Sequence, residues 1–104
     1  MSRYSQEDAF PVIARLIREL SAGHDSFVAH RELVDALLRD SEGEKLIAAA
    51  SAYPENEWSS HKWASNMVQW FSQKITQQAS DYYKEVEREE RADGYAYRSK
   101  APAS

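Results

Sequence analysis

The hydrophobic pattern of this chain changes its period once, near residue 80. Before that point apolar residues recur every three or four positions, the spacing of helices with one buried face. After it come Tyr82, Tyr83, Val86, Tyr95 and Tyr97, residue types that favour strands, and Asp93-Gly94, a short-hairpin signal. A chain of 104 residues with one such change is expected to form a single domain over residues 1–99 with a modest core. The expected class is α+β, mainly helical, closed by a C-terminal hairpin at about 83–99. Residues 100–104, KAPAS, are expected to be a disordered tail.

Four helices follow from the spacing. Ser5-Gln6-Glu7-Asp8 has the form of a capping box, and Phe10, Ile13, Ile17 and Leu20 line one face behind it. Pro11 means that the helix starts near that residue or bends there, and with Gly23 as a stop the first helix spans about 7–21. Phe27 and Val28 are a two-residue apolar step, enough for a strand stub or a loop anchor. Leu33, Val34, Leu37 and Leu38 mark a second helix at about 30–40, with Arg31, Asp35 and Arg39 on its outer side. Ser41-Glu42-Gly43-Glu44 reads as another capping box and opens a third helix at 42–52, ended by Pro54. Ser59 or Ser60 caps the fourth, at about 60–79, whose buried face is Ala64, Met67, Val68, Phe71 and Ile75.

Charge is distributed unevenly along these elements. The chain as a whole carries a formal net charge of −4. Residues 1–57 hold eleven acids and six bases, and residues 81–104 hold six acids and five bases. Residues 58–80 contain Lys62 and Lys74 and no acid at all. An acidic average weighs against indiscriminate nucleic-acid binding, which needs excess Lys and Arg. The middle segment is the exception. At 100° per residue, Lys62, Asn66, Gln69, Gln73 and Gln77 fall in a narrow arc opposite the buried face of the fourth helix. Trp63, Trp70 and Lys74 lie on a flank between the two.

Helix, short apolar step, helix, helix and then a strand–turn–strand hairpin resembles the winged helix-turn-helix architecture. The residues that carry the resemblance are FVAHRELVDALL (27–38), the helix at 60–78, and EREERADGYAYRS (87–99) as the wing. In that family the last helix enters the DNA major groove and the wing touches the backbone or minor groove. The segment 41–59 departs from the pattern, because the family joins its second and recognition helices by a short turn. The resemblance implies double-stranded DNA as the partner, read by the helix at 60–78.

The residue types suit that chemistry. Asn66, Gln69, Gln73 and Gln77 carry amides that can pair bidentately with adenine, while Lys62 and Lys74 can reach guanine or phosphate. In the wing, Arg88 and Arg91 are the candidate phosphate contacts, although Glu87, Glu89, Glu90 and Asp93 stand among them. A solvated helix face and a self-compensating surface hairpin are the bland readings of the same residues. A rival function is protein–protein interaction or dimerisation through Trp63 and Trp70, since tryptophan is enriched at interface hot spots.

Catalytic and metal chemistry find no pattern to rest on. His24, His30 and His61 stand singly, without metal-ligand spacing, and no nucleophile elbow occurs. Only Gly23, Gly43 and Gly94 are glycines, too few for a phosphate-cradling loop. The expectation is a protein that is not an enzyme and takes no cofactor. The chain lacks cysteine, and no apolar run approaches the roughly 18 residues of a membrane span. MSRYSQEDAF lacks the basic-then-apolar form of a signal peptide, so the expected location is cytoplasmic.

Overall fold

The computed structural model describes residues 6–21, 26–52, 57–77, 84, 86–92 and 94–99. A 3-10 turn at Gln6–Ala9 leads into α1 (Phe10–Leu20), followed by β1 (Val28–Ala29), α2 (His30–Arg39) and α3 (Ser41–Ala50). Then come α4 (Ser60–Thr76), β2 (Val86–Arg91) and β3 (Gly94–Ser99). The class is α+β and mainly helical, with a C-terminal hairpin, as the change of period implies. The strands form one antiparallel sheet in the order β1-β3-β2. Val28 pairs with Tyr97, and Arg88 pairs with Tyr97 from the other side. The second residue of the short apolar step, Val28, thus opens a true edge strand. No helix among the described residues is long and apolar enough to cross a membrane.

The helix ends show where local chemistry decides. Pro11 sits in the first turn of α1, where its missing N–H costs nothing, so the helix starts there. Asp40, not Ser41, caps α3: its carboxylate accepts from the amides of Glu42 and Gly43, both at 3.1 Å. The expected box was one residue late because the same carboxylate also accepts from Arg15 Nη2 of α1 at 2.8 Å, a long-range partner. That guanidinium, with the two amides, holds the Asp40 carboxyl below the usual carboxylate range. Gly43 is buried, and a Cβ there would stand 2.1 Å from the Leu37 carbonyl oxygen. Only glycine lets α3 start so close to the end of α2. Ser59 caps α4, accepting from the Lys62 amide at 3.2 Å.

α4 ends at Thr76, short of the expected residue 79, and Gln77 closes it. The stops at Gly23 and Pro54, the Ser5 cap, Asp93 of the turn signal and the tail 100–104 lie outside the described residues. Gly94 itself opens β3 opposite Arg91 with φ of 130°, a conformation that favours glycine.

Phe10, Ile13, Ile17, Leu33, Leu37, Val68, Phe71 and Ile75 are all buried, with Phe10 edge-on to Phe71 at 5.4 Å. Leu20, expected among them, is 43% exposed. The core ends one residue later, on a polar side chain. Ser21 is fully buried, and its hydroxyl donates to the Ile17 carbonyl and accepts from the Ser99 amide at the end of β3. The sheet contributes Val28, Val86 and Tyr97 to the same core.

Candidate nucleic-acid interface

α4 presents four distinct sides. Ala64, Met67, Val68, Phe71 and Ile75 are its buried side, as expected. Opposite them, Lys62, Gln69, Gln73 and Gln77 are exposed and Asn66 is half-buried, forming one ridge without an acid. The other two sides differ in kind.

On one flank stand Ser65, Ser72 and Thr76, which face α2 and the hairpin. Ser65 Oγ lies 3.1 Å from His30 Nε2 at the start of α2. Ser72 is 4% exposed, and its Oγ accepts from Arg88 Nη1 of β2 at 2.9 Å. The Arg88 guanidinium also lies 3.9 Å from the centre of the Tyr95 ring. Tyr97 completes this wall; burial pushes its phenol up, opposed by a hydrogen bond to Ser72 and the nearby Arg88 charge.

Between this flank and the hairpin runs a cleft of about 560 Å³, lined from α4 by Gln69, Ser72, Gln73, Thr76 and Gln77. Arg88, Tyr95 and Tyr97 line it from the sheet, and His30 closes one end. A second hollow of about 250 Å³ adjoins it at His30 and Tyr95, bounded by Arg31, Val34, His61 and Arg91. Among the described residues no carboxylate lines either hollow. Burial and the His61 charge lower the pKa of His30, so the ring prefers to be neutral in the free protein.

The opposite flank is aromatic. Trp63 and Trp70 are half-buried against the core, and Trp58, 36% exposed, packs on Trp63 with ring centres 4.6 Å apart. Lys62 Nζ lies 4.9 Å from the Trp58 ring centre, and Lys74 Nζ lies 4.9 Å from that of Trp70.

The structure therefore brings Lys62, Asn66, Gln69, Gln73 and Gln77 together on the ridge, with Arg88 beside them across the cleft. It places Lys74 apart, on the tryptophan flank. Arg91 borders the smaller hollow but is paired with Glu89 at 2.9 Å, and Arg98 is paired with Glu87. The outer side of the hairpin thus compensates its own charge, while Arg88 turns inward. Sequence reasoning missed His30, Ser72, Tyr95 and Tyr97. The hydroxyl flank was visible in principle, since Ser65, Ser72 and Thr76 fall within about 40° of one another at 100° per residue. Among the described residues no three His, Asp or Glu side chains gather as metal ligands.

Comparison with known protein families, with curated proteins and with solved structures found no match to this chain.

Proposed function

We propose that this is a small, non-enzymatic, cytoplasmic DNA-binding protein of winged-helix-like build, in which α4 reads the duplex. One observation carries the reading. In a chain of net charge −4, no carboxylate stands on the exposed ridge of α4 or lines either hollow beside it, among the described residues. Repulsion of phosphate is thereby lowered on this surface. The order of helices before a hairpin, with β3 between β1 and β2, suits the same reading. On it, Gln69, Gln73 and Asn66 address base edges, and Lys62, Arg31 and Arg88 address phosphate.

Few cations are available, so the affinity is modest and its salt dependence shallow. With at most about four phosphates neutralised, the log–log slope of affinity against salt is about −2 to −4. Anisotropy of labelled mixed-sequence duplex at low salt tests this. Binding tighter than about 0.1 mM with that slope supports the reading, and no response up to about 0.1 mM contradicts it. A second reading rests on Trp58: its exposed ring, stacked on Trp63, suits a protein partner or a homodimer contact through the opposite flank. Concentration-dependent sedimentation of the free protein tests the homodimer.

A further inference from the structure

The larger hollow contains more than a phosphate contact requires. Its volume of about 560 Å³ lies in the range of sites that enclose a small molecule. Duplex contact by the ridge of α4 does not require a hollow of that volume.

Three kinds of chemistry converge in it. Arg88 is a cation held from two sides, by Ser72 Oγ at 2.9 Å and by the Tyr95 ring at 3.9 Å. Neither neighbour is a carboxylate, so its charge is not cancelled by its own contacts. The guanidinium fork matches phosphate oxygens in geometry, and its fixed position lowers the cost of ordering it. Along the facing wall, Gln69 and Gln73 offer paired donors and acceptors, the pattern that recognises the edge of a heterocycle. The guanidinium plane over Tyr95 is itself a surface on which a base can stack. A bare phosphate would leave the amides unused, and an uncharged heterocycle would leave the arginine unused.

We propose that this hollow binds a single nucleotide, with its phosphate on Arg88 and its base edge toward Gln69 and Gln73. A free nucleoside monophosphate and an unpaired nucleotide in a strand share that chemistry. The assignment concerns the hollow and does not depend on duplex contact by the ridge.

Titration of the full chain with AMP, GMP, CMP and UMP, followed by ¹H–¹⁵N spectra, tests it. The expected result is saturable shifts at Ser72, Gln73, Arg88 and Tyr95, with at least one nucleotide about tenfold tighter than its nucleoside or than inorganic phosphate. Arg88→Gln reduces that nucleotide to the affinity of the nucleoside. Because Arg88 is partly buried, the exposed Gln77→Glu, which lines the hollow but is assigned no contact to the base, serves as a second variant. It weakens the nucleotide about tenfold while leaving the nucleoside within about threefold, a split that mere misfolding does not produce. Tighter binding of a single-stranded oligonucleotide than of the monomers identifies a strand as the source, and equal binding identifies the free nucleotide. No saturable shift up to about 10 mM of any monophosphate overturns the proposal, as does equal binding of inorganic phosphate. A duplex that binds while every nucleotide and single strand fails overturns this assignment alone. A nucleotide that binds where duplex fails upholds it and removes the duplex reading.

Discussion

The two flanks of α4 lie on one helix, yet they treat positive charge in opposite ways. On the tryptophan flank, Lys74 lies over the Trp70 indole, at 4.9 Å, above a side chain packed on the core. On the hydroxyl flank, Arg88 reaches in from the neighbouring strand, is fixed by Ser72, and borders an open cleft. The first arrangement covers apolar surface with the stem of a cation. The second leaves a positioned charge facing space that a ligand can fill. A count of basic residues cannot distinguish the two, because it weighs Lys74 and Arg88 alike.

The largest expected effect removes both flanks together. Phe71 is fully buried between them and edge-on to Phe10. Phe71→Ala costs about 3–5 kcal/mol of stability, the range for removing a buried aromatic ring. Urea denaturation measures it. A loss below roughly 0.5 kcal/mol, as at an ordinary surface site, would mean that α4 is rotated from the orientation described.

Charge reversal separates the flanks. Gln69→Glu places a carboxylate in the acid-free wall and weakens duplex binding by roughly 1–3 kcal/mol, a charge pair at close range in partly screened surroundings. Lys74→Glu, on the far flank, changes it by about 0.5 kcal/mol or less because salt screens over about 10 Å. Equal effects in anisotropy titrations would erase the distinction.

Acidity sharpens the comparison further, because His30 stands on the cleft side alone. Its folded-state pKa is lowered by burial and by His61, from an ordinary value of 6.5. The sign follows from linkage: this contribution to stability is present above pH 6.5 and is lost as the pH falls through the folded pKa. Bound phosphate favours the charged ring, so duplex affinity rises as the pH falls through the same window. Of the groups around the ring, His61 from α4 and Arg31 act in the same sign, while Arg91 in the same hollow is compensated by its pair with Glu89. Anisotropy at pH 8 and pH 5.5, with thermal melts of the free protein at each, checks both directions. His30→Gln keeps an amide near Ser65 and removes both trends.

The smaller of the two expected losses of stability is on the tryptophan flank. Trp58→Ala removes one exposed ring from its packing on Trp63 and costs about 0.5–1.5 kcal/mol of stability, the value of an aromatic pair. Duplex affinity stays unchanged. A large loss of affinity with little loss of stability would move the reading side to the indoles.

Much of the architecture was legible because a core face imposes a period. Ile13, Ile17, Leu33, Leu37, Val68 and Phe71 are buried as their spacing requires. What failed depended on partners distant in sequence. Leu20 lies on the apolar stripe of α1, but Ser21 meets the Ser99 amide and ends the core there. Asp40 takes the α3 cap from Ser41 because Arg15 and two amides converge on it. The ridge residues of α4 were legible for the same reason as the core, being its geometric complement. The cleft was not, since it exists only where the hairpin stands beside the hydroxyl flank. Nothing in the local pattern of Ser72 or Tyr97 announces that they meet Arg88.

The central claim is that α4 meets its ligand by the amide ridge and the hydroxyl flank, and not by the tryptophans. One ¹H–¹⁵N spectrum series during a duplex titration tests it, because the two sides carry different side-chain signals. The chain has three indole N–H groups, from Trp58, Trp63 and Trp70, and the ridge carries the amide NH₂ groups of Gln69, Gln73 and Gln77. The glutamine amides and the Arg88 Nε–H are expected to shift with added duplex while the Trp63 and Trp70 indoles stay in place; Trp58, beneath Lys62, does not discriminate. Movement of the Trp63 and Trp70 indoles while the glutamine amides stay fixed would contradict the claim and assign the tryptophan flank as the binding side.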